Sequence, residues 1–97
     1  MRVLGRSRIQ RFIERRANYR KRVATWLAVL SNAGWRSSHE LVSDVPNTRG
    51  LGKGRFVFNV CGNHVRAIVT VNFSVQVADV RFIGTHVEYD RIDARII

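Results

Sequence analysis

Three runs in the second half of the chain, Arg55 to Val60, Val65 to Phe73 and Val77 to Ile83, are rich in β-branched and aromatic residues. Runs of this length and composition read as strands. Only Cys61 to His64 and Ser74 to Gln76 separate them, and connections that short return each strand antiparallel to the one before it. The chain is therefore committed to a meander, and a meander with one apolar face must bury that face against another layer.

The cover has to come from the first half. Ile9, Phe12 and Ile13 recur at helical spacing among Arg8, Arg11, Arg15 and Arg16, with Ser7 as the expected N-cap. A second stripe, Tyr19, Val23, Trp26, Leu27 and Leu30, stops at Gly34, a C-terminal helix signal. Ser37 to Glu40 has the S-x-x-E form of a capping box, so residues 38 to 43 are expected to add one more helical turn before Pro46. Met1 to Leu4 is compatible with an edge strand, and NTRGLGKGR, from Asn47, is expected to be a mobile basic loop. The fold class expected is α+β: two N-terminal helices on one face of an antiparallel sheet of three to four strands. A chain of 97 residues suits one domain spanning 1–97.

Charge points to the partner class. Lys and Arg number 17 against 7 Asp and Glu, a net charge of +10. Fifteen of the cations are arginine, whose planar fork binds phosphate oxygens in pairs and stacks on bases. Residues 1 to 22 carry nine cations and one anion, Glu14, and so contribute +8 of that charge. Nucleic acid is the leading partner, ahead of an anionic membrane or an acidic protein. Cys61 has no second cysteine to pair with, which suits a reducing cytoplasm. No run of 18 apolar residues offers a membrane span.

Chemistry is concentrated in VRFIGTHVEYDRID, Val80 to Asp93, where His86, Glu88, Tyr89, Asp90 and Asp93 follow a strand and Gly84. These groups are either a solvated tail anchored by Tyr89 or a site displayed where the chain leaves the sheet. Arg66 and Arg81, each inside an apolar strand, should face away from the helices, as should Lys53 and Arg55. Whether Arg66 and Arg81 share a face depends on the length of the last turn. An arginine-lined sheet face ending in histidine and tyrosine has the parts to cleave RNA without a metal. A 2′-hydroxyl loses a proton as it attacks the adjacent phosphorus, the 5′-oxygen gains one, and imidazole can serve either transfer near neutral pH. Arginines can carry the phosphorane charge, and Tyr89 can orient the nucleophile or stack on a base. His39, His64, His86 and Cys61 are too scattered for a zinc site, and no cofactor is expected. Nucleotide-binding and serine-hydrolase motifs are absent.

RFVFNVCGNHVRAIVTVNF followed by VRFIGTHVEYDRID resembles the HigB-type toxins of bacterial toxin-antitoxin systems, in which GN-x-x-R leads to GTH-x-EYD. The basic first helix, TWLAVL and AGWRSSHEL are similar too. The resemblance implies a RelE-like fold and a cytoplasmic toxin that cuts mRNA on ribosomes, with contacts to 16S rRNA. It also implies a HigA-type helix-turn-helix antitoxin, through which alone the toxin meets operator DNA. By motif position, Arg66, His86 and Tyr89 would be catalytic and Arg55 would be the basic residue that often opens the hairpin strand; with Arg55, the strand-region cations Lys53 and Arg81 are expected to bind RNA phosphates. Val65 departs from the family, where an aromatic commonly precedes the arginine, and SVQV lacks the glycine often found at that hairpin turn. A non-catalytic poison of gyrase type on the same fold, or a basic RNA- or ribosome-binding domain, are the alternative readings.

Overall fold

The computed structural model describes residues 1–97. Strand β1 (Arg2–Leu4) leads into helix α1 (Arg6–Arg15), a 3₁₀ turn (Ala17–Tyr19), helix α2 (Arg20–Asn32) and a short helix α3 (Ser38–Asp44). Strands β2 (Arg49–Gly52), β3 (Arg55–Asn59), β4 (Val65–Asn72) and β5 (Val77–Thr85) follow, and one turn of helix, α4 (His86–Tyr89), leaves the sheet. The sheet runs β1-β5-β4-β3-β2. It is mixed, because β1 pairs parallel to β5 while the other pairs are antiparallel.

The sheet thus has five strands, one of them parallel, where three to four antiparallel strands were expected, and two local expectations also change. The run NTRGLGKGR is not a free loop, since Arg49–Gly52 forms β2 and pairs with β3 through a bulge between Gly50 and Gly52. Its glycines have low strand propensity, so the β3 ladder and not the composition makes it a strand. Helix α1 begins at Arg6 behind Gly5, and not behind Ser7. The chain doubles back sharply between β1 and α1. Gly5 takes φ 81°, and a β-carbon there would collide with the carbonyl oxygen of Val80.

The helices lie on one face, as their stripes require. Ile9, Phe12, Val23, Trp26 and Leu30 pack with Phe58, Val65, Val69, Val80 and Ile83 in one cluster. Trp35 closes it below α2, its indole N–H donating to Asp44 Oδ2 at 2.9 Å. Val65 is fully buried within this cluster, so an aromatic residue there would face the helices and not a ligand. Cys61 is buried as well, and that burial pushes its thiol pKa up, against the opposing pull of Arg22.

Residues alternate in side, so the opposite face carries Arg55, Val57 and Asn59 of β3 and Arg66, Ile68 and Thr70 of β4. Val57 and Ile68 are buried there although they stand outside the helix-side cluster. The segment after α4 ties down this face, Arg55 Nη1 donating to the carbonyl oxygens of Ile97 (2.6 Å) and Ala94 (3.4 Å).

Gly5→Ala is expected to destabilise the protein by roughly 1–3 kcal/mol, the cost of a left-handed non-glycine residue, before the contact with Val80 is relieved. Urea denaturation with an unchanged m-value and a lowered midpoint would be the sign.

Candidate functional site: an arginine-lined cleft beside Tyr89

The ladder between β4 and β5 starts at the turn with Asn72 opposite Val77 and runs to Val69 opposite Val80. Had that register continued, Arg81 would stand opposite Ile68, on the same face as Arg66. Instead the register shifts between Ile68 and Val69, Phe82 stands opposite Ile68, and Arg81 is the extra residue of a β-bulge. Arg81 therefore turns away from Arg66. Its guanidinium meets Asp79 at 3.2 Å, its carbonyl accepts from Arg8 Nε at 3.1 Å, and it lines a groove with Arg8, Arg11 and Arg15 of α1. The last turn has four residues, and the bulge, not the turn length alone, decides the face.

The same shift brings Gly84 opposite Arg66. A β-carbon on Gly84 would lie 2.6 Å from Cζ of Phe82, so the missing side chain gives the Phe82 ring its place. Phe82 in turn packs against Tyr89 with ring centroids 6.4 Å apart. Helix α4 is started by a capping box: Thr85 Oγ1 accepts from Glu88 N at 3.3 Å, and Thr85 N donates to Glu88 Oε1 at 2.9 Å. The T-x-x-E of Thr85 to Glu88 is the sequence signal that marks this helix.

These constraints deliver Tyr89 to Arg66. The Arg66 guanidinium carbon sits 5.0 Å from the Tyr89 ring centroid, in cation–π range, and Arg49 Nη2 donates to the Tyr89 hydroxyl at 3.1 Å. Beside this pair lies a cleft of about 220 Å³ lined by Asn47, Arg49, Val57, Asn59 and Arg66. Arg66 Nε is buried without a hydrogen-bond partner. Two guanidinium groups and two amides around one small cavity are suited to the oxygens of a phosphate. His86 opens α4, three residues before Tyr89, with an exposed ring whose Nε2 approaches Asp90 Oδ2 at 3.5 Å. Its backbone N–H donates to the carbonyl of His64 at 3.0 Å.

Of the residues expected from the sequence, Arg66, His86 and Tyr89 gather at this end of the sheet. Arg55 shares a face with Arg66 but sits four residues along β3 from Asn59, the partner of Arg66, about 13 Å away. Its guanidinium is engaged by the terminal segment. Lys53 is exposed in the β2–β3 turn, at that same far end. Arg49, Asn47 and Asn59 join the site unannounced, because only the pairing of β2 with β3 carries Arg49 to Tyr89. Glu88 faces elsewhere, with Arg15 and Arg16 of α1 at 3.7 and 3.8 Å. The hydrogen bond from the Thr85 backbone holds its pKa below the ordinary 4.5, helped by the Thr85 hydroxyl, Arg16 and Arg15 and opposed by partial burial. No three His, Cys, Asp or Glu side chains are grouped to hold a metal ion, and no helix is long and apolar enough to cross a membrane.

Fold and cleft together define a small cationic α+β protein with an arginine-lined cleft at one end of its sheet. The model of the HigB toxin family, described as the RelE-like toxic component of a toxin-antitoxin system, matches residues 19–92. The chain belongs to that family, and it is by that membership the toxin of a toxin-antitoxin pair, with an antitoxin as partner. The match covers the sheet from β2 to β5 and the whole of α4, and leaves β1 and α1 outside. Compared with curated proteins, the chain matches none.

Glu88 has a lowered pKa in the fold, so its stabilising charge is present above pH 4.5 and is lost as pH falls through the lower folded value. Glu88→Gln keeps the capping geometry and removes the charge. It should cost roughly 0.2–1 kcal/mol at pH 7, the range of exposed ion pairs. The difference between the two proteins should close below pH 4.5, as read from denaturation midpoints across a pH series.

Proposed function

We propose that this toxin is an mRNA endoribonuclease that cleaves by attack of a ribose 2′-hydroxyl on the adjacent phosphorus. What supports this most is the meeting of Arg66 with Tyr89, on the same helical turn as His86. The phosphodiester sits in the cleft between Arg49 and Arg66, whose guanidinium groups carry the charge that grows on the phosphorane. His86 takes the proton of the 2′-hydroxyl or returns one to the 5′-oxygen, and Asp90 orients its ring. The Tyr89 hydroxyl, held by Arg49, orients the reacting oxygens while Arg66 fixes the ring. Lys53 and Arg81 lie away from the cleft and bind RNA phosphates further along the strand, and Arg55 holds the terminal segment in place.

The substrate is mRNA in a translating ribosome, where the arginine-rich surface of α1 also meets 16S rRNA. The antitoxin is of HigA type with a helix-turn-helix, the toxin reaches operator DNA only through it, and the protein works in the cytoplasm.

Expression from a tightly repressed promoter is expected to stop growth and to produce new transcript 5′ ends in phase with codons. His86→Ala should lower cleavage by roughly 10²- to 10⁴-fold, the worth of a general acid or base. Arg66→Ala should lower it by roughly 10²- to 10³-fold, the worth of one charge-stabilising donor. Arrest with intact transcripts and broken DNA would instead identify a non-catalytic poison, and undiminished cleavage by both variants would remove these residues from the mechanism.

A further inference from the structure

A second group of rings lies outside the cleft. Phe12, buried in the core, stacks on Tyr19 with centroids 6.2 Å apart and planes inclined by 20°, and Tyr19 stacks on His64 at 6.4 Å and 27°. The three form a ladder that starts in the core, passes through a half-buried tyrosine and ends on an exposed imidazole. Asn18 and Arg22 complete a recess of about 350 Å³ around the two outer rings. The ladder adjoins the cleft through the backbone. His64 precedes Arg66 by two residues, and its carbonyl accepts the N–H of His86.

An exposed ring face, backed by Tyr19 and through it by the core, beside a guanidinium and an amide, matches one nucleotide: the base on His64, its phosphate on Arg22 and its edge toward Asn18. An acidic peptide would engage the cation and leave the ring faces unused. We propose that the outer face of His64, backed by Tyr19, is a stacking platform for one unpaired RNA base that flanks the position held in the cleft, with Arg22 binding the phosphate of that nucleotide. The platform rests on the reading of the chain as an RNA-cleaving toxin and names a subsite of it.

The test is fluorescence anisotropy with a short labelled single-stranded RNA, and with copies carrying one abasic residue at each position in turn. His64→Ala is expected to weaken binding of the intact RNA by roughly 5- to 150-fold, the worth of one stacked base. His64→Phe should retain it, since the ring face is kept and the imidazole nitrogens are lost. One abasic position should reproduce the loss in the unaltered protein and add nothing further in His64→Ala. Equal affinity of the unaltered protein and His64→Ala, or indifference to every abasic position, would overturn the platform. Loss in both His64→Ala and His64→Phe would overturn it too, because the imidazole and not the stack would then be what binds. Transcript mapping keeps the two readings apart: cleavage persisting without base-dependent binding discards the platform alone, and base-dependent binding without transcript cleavage discards the nuclease alone.

Discussion

One surplus residue in the β4–β5 ladder determines where the functional groups of this protein stand. Because Arg81 is extruded, the last residues of β5 change sides relative to the register set at the turn. Phe82 arrives beside Ile68, Gly84 arrives opposite Arg66, and the helix that follows leaves the sheet over Arg66. A regular ladder would have put Arg81 on that face and sent Phe82 toward the helices. The resulting chain of contacts is steric before it is electrostatic: the bulge places Phe82, the absence of a side chain at Gly84 admits its ring, and Phe82 backs Tyr89.

The β-branched and aromatic runs from Arg55 onward were sufficient to read the meander, and the apolar stripes from Ile9 to Leu30 were sufficient to read its helical cover. β2 was hidden because glycines and cations carry no strand signal of their own, so its existence depends on a neighbour that the local sequence does not reveal. Arg49 was hidden for the same reason. The bulge was illegible because nothing in VRFIG distinguishes a surplus residue from a paired one. With it went the side on which Arg81 falls, while Arg66 was protected from that ambiguity by lying in the unbulged strand. The group of Arg66, His86 and Tyr89 was legible from composition and from motif position together. The position of Arg55 was legible, but not its engagement with carbonyls of the terminal segment.

Positive charge is handled differently in different parts of the molecule. Arg15 and Arg16 share Glu88, and Arg81 has Asp79. Arg49 and Arg66 instead converge on the hydroxyl and the face of one tyrosine, partners that hold a guanidinium in position without neutralising it. A cleft kept in this state retains its attraction for an anion, at some expense in stability from the proximity of two cations and a buried Nε without a partner. The fixed position of each cation means that little reordering is needed when an anion arrives.

The brevity of β1 has its own consequence for how the molecule behaves in a crowd of its own kind. β1 covers β5 only from Val77 to Asp79, which leaves the flank from Val80 to Thr85 without a neighbouring strand. An unpaired flank of that length is a template for fibre-like addition of a second chain. Helix α1 obstructs it: the turn at Gly5 closes on the Val80 carbonyl, Arg8 occupies the carbonyl of Arg81, and a row of cations stands in the way of any equally cationic copy. The stretch of chain that lies outside the family match is thus the one that covers the open flank of the sheet.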